Sequence, residues 1–357
     1  MTMPTTNVPR ILFFSINGSG MGHMNRCLAY ARRLRNKGDI SFFSLASAIE
    51  YIEGMGFQAD YFVSSFWSCN SAYDWNTELA IRFGMMLDRT RPDVVVFDGT
   101  WPFQGFLAAC RAFEYPLKMV WSNRGLLKKD AKKVPVDKSL FDLIIQPGEL
   151  GTSYSETVTP GGGKTITVPP VALLDADELF DRAEARHQLH LEPQGRYALF
   201  SLGPGNLKDM SSIGHQLVRR LHAEDYTIVW ACAPISQQDV ELPQTVVPVS
   251  VYPLVQYFNA FDVFVGAAGY NTCCEIVQTQ IPSLLIPNTL VADDQSRRAQ
   301  FVVNYAPAVV SACETQGEMD AAIRELLELA KTSPSSCPVG MNGAHLAADA
   351  ILALAQQ

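Results

Sequence analysis

The chain reads as an α/β protein of two successive domains, each built on a mostly parallel sheet. Three observations predict this. Its 357 residues exceed one average domain and suit two. Short, wholly apolar runs alternate with amphipathic helical stretches in both halves, as strands covered on both faces by helices require. Two of those runs end in small-residue turns that pass straight into a helix, at Asn17–His23 and at Gly266–Gly269.

Composition narrows the function classes. Hydrophobic residues make up 48% and charged residues 18%, which describes a soluble globular protein with ample core. A net charge of −8 argues against a general polyanion binder, so no nucleic-acid partner is expected. No apolar run approaches membrane-spanning length, and the opening MTMPTTNVPR lacks the apolar region of a secretory signal. The eight cysteines, at 27, 69, 110, 232, 273, 274, 313 and 337, have neither zinc-ligand spacing nor disulfide-scaffold density. A cytoplasmic protein with no metal site is the expectation.

In chain order, Ile11 to Ile16 is the first strand, followed by Asn17-Gly18-Ser19-Gly20-Met21-Gly22-His23. The next helix, Asn25 to Lys37, sets Leu28, Ala29, Ala31 and Leu34 roughly on one face and Arg32, Arg33 and Arg35 largely on the other, and Gly38 ends it. Ile40 to Leu45 is the second strand. The glycines fall as GxGxG rather than GxGxxG, and no acid closes the second strand, so NAD or FAD is not expected. Residues 60–92 are rich in aromatics and methionine, with a helix over Asp74 to Arg89. They suit either core packing or an acceptor pocket. Val94 to Asp98 is a buried strand ending in a carboxylate, and a helix over Pro102 to Phe113 follows. Strand ends are where sites form in open α/β sheets, although Asp98 equally suits a helix cap. Leu117 to Trp121 and Phe141 to Ile145 are further strands. Between them Arg124 and the cluster Lys128, Lys129, Lys132, Lys133 and Lys138 suit either a solvated face or contact with an anionic acceptor or membrane surface.

Pro147 to Pro170 is rich in glycine and proline and reads as the linker between the halves, with Gly161-Gly162-Gly163 as a hinge. The domains expected are therefore 1–165 and 166–342, with a final helix at about 343–357 packing back on the first. In the second half Asp177 to Leu189 is helical, and Tyr197 to Leu202 is a strand running into Gly203-Pro204-Gly205-Asn206. Helix Asp209 to His222 and strands Thr227 to Ala231 and Thr245 to Val249 follow. Gly203, Gly205 and Asn206 form either a phosphate-approach loop or a plain βα turn.

The most informative stretch is DVFVGAAGYNTCCEIVQTQIPSLLIPNTLVADDQ, from Asp262 to Gln295. Strand Val263 to Val265 enters the turn Gly266-Ala267-Ala268-Gly269, and a helix opens at Asn271 and Thr272, both good N-cap residues. Small residues let the backbone approach an anion, and the helix N-terminus attracts it. Glu275 stands on that helix, where a carboxylate can accept ribose hydroxyls. After Ile281-Pro282 comes strand Ser283 to Ile286. Asp294 and Gln295 begin the next element, where they can grip sugar hydroxyls. The chain closes with strand Ala308 to Ser311 and helix Gln316 to Lys331.

Gly269 followed six residues later by Glu275, then Ile281-Pro282, an apolar strand, Pro287 and Asp294-Gln295 resembles the nucleotide-sugar signature of GT-B glycosyltransferases. It is similar to the secondary-product transferases of family 1 and to the lipid-linked N-acetylglucosaminyltransferases of family 28. The loop ending in Gly22-His23 resembles the acceptor-side loop of both. One departure stands out: both families usually place His or Arg where this chain has Ala267, leaving diphosphate contact to the backbone of Gly269–Thr272 or to a residue elsewhere.

The resemblance implies a GT-B fold, two Rossmann-like parallel-sheet domains facing each other across a cleft. It implies a metal-independent, inverting hexosyltransferase without cofactor. The enzyme would move a sugar from a nucleoside diphosphate sugar, with UDP the expected nucleotide, to a hydroxyl of a glycan, glycolipid or natural product. His23 matches the general base and Asp98 its partner. Gly20, Gly22, Gly203, Gly205, Asn206, Val251, Tyr252, Gly269, Tyr270, Asn271, Thr272, Glu275, Asp294 and Gln295 match donor contacts, with the base near Val251 and Tyr252. Peripheral membrane contact is part of this expectation. The alternatives are a nucleotide-sugar 2-epimerase and a non-catalytic nucleotide-sugar-binding subunit.

Overall fold

The computed structural model describes residues 8–16, 21–123, 126, 128, 134–158, 163–203, 210–232, 242–288, 293–332, 340 and 342–357. The chain divides into two compact units. The first comprises Met1–Gly125, Lys132–Leu173 and Met341–Gln357, the second Leu126–Ala131 and Leu174–Gly340.

In the first unit β1 (Arg10–Ser15), α1 (Gly22–Leu34), β2 (Asp39–Ser44), α2 (Glu50–Gly54), β3 (Gln58–Tyr61), α3 (Ala72–Thr90), β4 (Val94–Asp98), α4 (Gln104–Ala112), β5 (Lys118–Ser122), β6 (Leu143–Pro147), β7 (Ser155–Val158) and β8 (Lys164–Val168) follow in order. The strands form one sheet, β3-β2-β1-β4-β5-β6-β8-β7. All neighbours run parallel except β7 on β8. Ile11 to Phe14 and Val94 to Phe97 are buried throughout, as strands covered on both faces must be. On one face Phe14 meets Phe43, Phe83, Phe97 and Phe106 at ring separations of 5.1–5.3 Å. Of the aromatic region 60–92, Phe62, Trp75, Phe83 and Met86 belong to this core, while Tyr61, Phe66, Trp67, Tyr73 and Met85 are exposed.

Pro147 to Pro170 is not a linker. It carries β7 and β8, and β8 extends the parallel ladder from β6. Glycine and proline mark its turns, while Thr165, Ile166, Thr167 and Val168 supply β-branched strand residues. The Gly161–Gly162 part of the expected hinge lies outside the described residues. β3 was not expected from the sequence, because its QADY is polar and has no buried residue.

In the second unit α5 (Arg182–Gln188), β9 (Tyr197–Ser201), α6 (Met210–His222), β10 (Thr227–Ala231), β11 (Val246–Val249), β12 (Val263–Gly266), α7 (Tyr270–Thr279), β13 (Ser283–Leu285), α8 (Gln295–Val303), β14 (Ala308–Val310) and α9 (Gln316–Leu329) build a wholly parallel sheet, β11-β10-β9-β12-β13-β14, with helices. The helix expected from Asp177 is instead a short 3-10 turn, Ala176–Glu178, then α5, because the Asp181 side chain caps the later start by accepting from Glu184 N at 2.9 Å. The last helix, α10 (Gly343–Ala355), belongs to the first unit and packs on α1. Its buried Ala344, Ala347 and Ala348 allow close approach, and Asn342 anchors it through Ala172 at 2.9 and 3.0 Å.

Each sheet reverses its strand order between parallel neighbours, at β1 and β4 in the first and at β9 and β12 in the second. At such a reversal adjacent strands lead away in opposite directions, leaving a crevice at their carboxyl ends where ligands bind in open α/β folds.

Candidate active site

Two groups of the sequence-predicted residues sit at these two reversals. In the first unit, Ser15 at the end of β1 pairs in register with Asp98 at the end of β4. α1 begins at Gly22, so His23 stands in its first turn beside that strand end. His23 Nδ1 lies 2.7 Å from Asp98 Oδ1. The sequence alone could not show this contact across 75 residues.

Asp98 is fully buried, and it is not held by His23 alone. Arg26 donates from Nε to Oδ2 at 2.7 Å and from Nη2 to Oδ1 at 2.6 Å, a two-point clamp. Burial by itself would push the Asp98 carboxyl up. The Arg26 charge and the His23 hydrogen bond outweigh it and hold the group below the usual carboxylate range. The carboxylate is therefore ionised and can only accept, so His23 Nδ1 carries the proton and, in the neutral imidazole, Nε2 holds the lone pair. The imidazole is the least buried member of the cluster, with its side chain 19% exposed. This arrangement can take a proton from a group brought to Nε2.

Arg26 was missed in the sequence. It lies on the buried face of α1 between Met24 and Cys27, three residues after His23, and was passed over beside the more conspicuous Arg32, Arg33 and Arg35. A cation on an otherwise apolar helix face, one turn from a histidine, was the available signal. The neighbouring Cys27 thiol and Tyr30 phenol are pushed well up by burial and stay neutral.

In the second unit, β12 ends at Gly266, paired in register with Ser201 at the end of β9. A methyl group at Gly266 would lie 2.5 Å from the Ser201 carbonyl oxygen and 2.4 Å from the Phe264 ring, so only glycine lets the two strands run together here. Gly203 follows β9 with φ +86°, a left-handed turn that glycine adopts freely. The loop after β9 and the turn after β12 therefore leave neighbouring strands. Gly269, not Asn271 or Thr272, is the N-cap of α7, and no side chain caps it. The N-cap thus lies two residues before Asn271, with Tyr270, Asn271 and Thr272 forming the first turn of the helix and their N–H groups directed out of its N-terminus.

Glu275 lies half-buried on the same helix, and burial pushes its carboxyl up to about 7. Asp294 caps α8 by accepting from Arg297 N at 3.1 Å, and Gln295 accepts from Asn288 N at 2.9 Å. Both therefore hold the local loop in shape. Val251 and Tyr252, half-buried, follow β11 at the sheet edge. Gly20, Gly205 and Asn206 lie outside the described residues.

Sequence reasoning also missed Arg298. This fully buried residue of α8 makes two 2.6 Å bonds to Asp293, reaches the Ala268 carbonyl at 3.4 Å and lies 5.8 Å from the Tyr270 ring centre. It ties the small-residue turn to the loop before α8. Position 267 carries no cation, but this buried guanidinium stands behind the same turn.

A cavity of about 780 Å³ in the second unit opens at the other, amino end of the strands, beside Arg196, Tyr226, Asp262 and Pro282. Its Arg182 and Arg220 are paired with Asp262 and Asp320, so its charges are largely matched internally. The side chains predicted to act lie at the opposite strand ends. Among the described residues no helix is long and apolar enough to cross a membrane, and no cluster of three His, Cys, Asp or Glu is placed to hold a metal ion.

Comparison with known proteins adds to this geometry. Residues 220–342 match the glycosyltransferase family 28 C-terminal domain. The chain is 26% identical over 223 residues to the UDP-N-acetylglucosamine–N-acetylmuramyl-(pentapeptide) pyrophosphoryl-undecaprenol N-acetylglucosamine transferase of Bacteroides fragilis. That alignment covers 57% of this chain and 57% of the relative. Among solved structures, Acinetobacter baumannii MurG superposes with a TM-score of 0.58 at 14% identity, covering 96% of this chain and 99% of that one. The UDP-GlcNAc 2-epimerase of Methanocaldococcus jannaschii gives 0.60 at 10% identity, covering 96% and 99%. At these identities the likeness shows the fold, which transferase and epimerase share. Residues 220–342 thus match a glycosyltransferase family 28 C-terminal domain, and the chain resembles the family 28 glycosyltransferases in having the GT-B fold of two parallel-sheet α/β domains.

Proposed function

We propose that the protein is an inverting glycosyltransferase that moves a sugar from a UDP-sugar to a hydroxyl of an amphipathic or lipid-linked acceptor. The family 28 match over residues 220–342, which include the turn and first helical turn at Gly266–Thr272, carries the reading. In this reading the backbone of Gly269–Thr272 and the loop from Gly203 to Asn206 bind the diphosphate. Glu275 accepts ribose hydroxyls, Asp294 and Gln295 contact the sugar, and Val251 and Tyr252 border the nucleotide base.

His23 Nε2 takes the proton as the acceptor O–H bond breaks. The acceptor oxygen bonds to the anomeric carbon from the face opposite the diphosphate. The bond from that carbon to the phosphate oxygen breaks, and its electron pair leaves on the diphosphate. Charge develops on that leaving group, so helix-terminal amides directed at it lower the barrier. Asp98 stays ionised and supports the imidazolium that forms.

Exposed apolar side chains in the first unit support an amphipathic acceptor and peripheral contact with a cytoplasmic membrane face. Phe66 and Trp67 stack edge to face at 4.6 Å, and Tyr73, Ile81 and Met85 are exposed on α3.

Thermal melts with UDP, dTDP, ADP, UDP-N-acetylglucosamine and NAD test the donor assignment, because only a ligand of the native state raises the melting temperature. Stabilisation by the uridine compounds and not by NAD is expected. A cooperative melt that no nucleoside diphosphate moves would overturn it.

A further inference from the structure

Within that reading of His23 as the base, we propose that Arg26 is a positioning residue whose two-point hold on Asp98 keeps the imidazole neutral, with Nδ1–H toward Asp98 and Nε2 unprotonated.

The three side chains share one oxygen. Asp98 Oδ1 accepts from Arg26 Nη2 at 2.6 Å and from His23 Nδ1 at 2.7 Å, while Oδ2 takes Arg26 Nε at 2.7 Å. Two bonds to one planar guanidinium fix the carboxylate plane, and the carboxylate in turn fixes the ring. Arg26 Nη2 also approaches His23 Nδ1 to 3.1 Å. Both atoms carry hydrogen when Nδ1 donates to Asp98, so this approach is not a bond between them. It follows from the shared oxygen, and it places a permanent positive charge against the ring.

That charge changes what Asp98 does to the histidine. A buried carboxylate acting alone favours imidazolium, which has no lone pair to accept a proton. Arg26 offsets the carboxylate charge, so the orienting hydrogen bond is kept while neutral imidazole is retained. A proton received by Nε2 then arrives beside a guanidinium, which favours its later release to solvent.

The other ionisable groups on the packed elements do not substitute for Arg26. On α1 itself, Cys27 and Tyr30 are buried and held neutral, and Arg32 and Arg33, in the last turn, donate to the Leu173 carbonyl at 2.6 and 2.8 Å. β1 and β2 carry ionisable residues only at their opposite, amino ends, Arg10 and Asp39. β4 carries only Asp98. α10 carries His345 and Asp349, and Asp349 pairs with Lys37 at 3.5 Å.

The test follows the ring nitrogens of His23 in the full chain by 15N NMR through a pH titration, with the signal identified by its loss in His23→Gln. Wild type is expected to show one neutral tautomer, protonated on Nδ1. Arg26→Met removes the charge, and the His23 titration midpoint should rise by about one pH unit. Arg26→Lys keeps the charge without the planar fork, so it should hold the midpoint near wild type but lose the single tautomer. An unchanged midpoint in folded Arg26→Met would overturn the proposal. If that variant does not fold, a wild-type tautomer in Arg26→Lys overturns it instead. The titration needs neither donor nor acceptor, so failure of sugar transfer and failure of the clamp are separate results.

Discussion

Replacing Asp98 by Asn is the most discriminating perturbation of the first unit. The amide has nearly the same shape as the carboxylate, so packing is conserved and only charge and acceptor capacity are lost. Two charge-assisted bonds from Arg26, at 2.6 and 2.7 Å, lose their anion, and Arg26 is itself only 3% exposed. Removing one partner of a buried ion pair typically costs about 3–5 kcal/mol, because the remaining charge is stranded out of water. At about 2–4 °C per kcal/mol for a domain of this class, the melting temperature should fall by about 6–20 °C.

The cost should also depend on pH. The Asp98 carboxyl is lowered in the folded state, so its stabilisation is present above the ordinary carboxylate range and is lost as pH falls below about 4. The wild-type and Asp98→Asn stability curves should therefore separate at neutral pH and converge in acid. Thermal and urea melts from pH 3 to 8 measure both effects. Turnover, followed as UDP release from a UDP-sugar, should drop by about 10²–10⁴-fold if Asp98 serves the base. Adding Arg26→Met removes the stranded cation, so the double variant should be more stable than the sum of the single losses by about 0.5–3 kcal/mol. An Asp98→Asn variant that melts within 2 °C of wild type at pH 7, roughly the loss expected from under 1 kcal/mol, would refute the argument that the pair is a buried, mutually dependent unit.

Two further outcomes are expected in the second unit. Gly266→Ala forces a methyl to within 2.5 Å of the paired Ser201 carbonyl, so it should cost about 1–3 kcal/mol and weaken UDP-dependent stabilisation, and an unchanged melt would show that the strands can part. Glu275 titrates near 7 in the folded protein against 4.5 for an ordinary glutamate, so burying its charge costs stability that grows as pH rises between those values. Glu275→Gln should gain on wild type from pH 5 to 8 by about 1 kcal/mol, below the full shift because the side chain keeps partial contact with solvent. If Glu275 receives ribose hydroxyls, UDP binding should release a proton near pH 6.5, read by calorimetry in buffers of different ionisation enthalpy. Binding with no proton release would remove it from the ribose site.

Local patterning determined much of this protein. The apolar runs Ile11–Phe14, Val94–Phe97 and Val263–Val265 could only be strands buried on both faces, because nothing in them tolerates water. The small-residue turn at Gly266–Gly269 and the histidine closing the first turn were legible because close approach and proton transfer each demand particular residue types. The parts that escaped were those whose reason lies elsewhere in the chain. β7 and β8 were hidden under glycine and proline, since their strand character comes from the open edge of β6. The helix cap lies at Gly269, where no side chain caps the helix, so side-chain capping preference did not locate it.

Tertiary structure alone decided the partnerships. Asp98 read equally well as a helix cap until the adjacency of β1 and β4 brought it to 2.7 Å from His23, across 75 residues. Arg26 and Arg298 looked like ordinary helix cations, and only folding showed each to be sealed against a carboxylate that neutralises it. A sequence states which groups can ionise. Which charge faces which, and in how little water, is set by the strand order that closes each sheet around its reversal point.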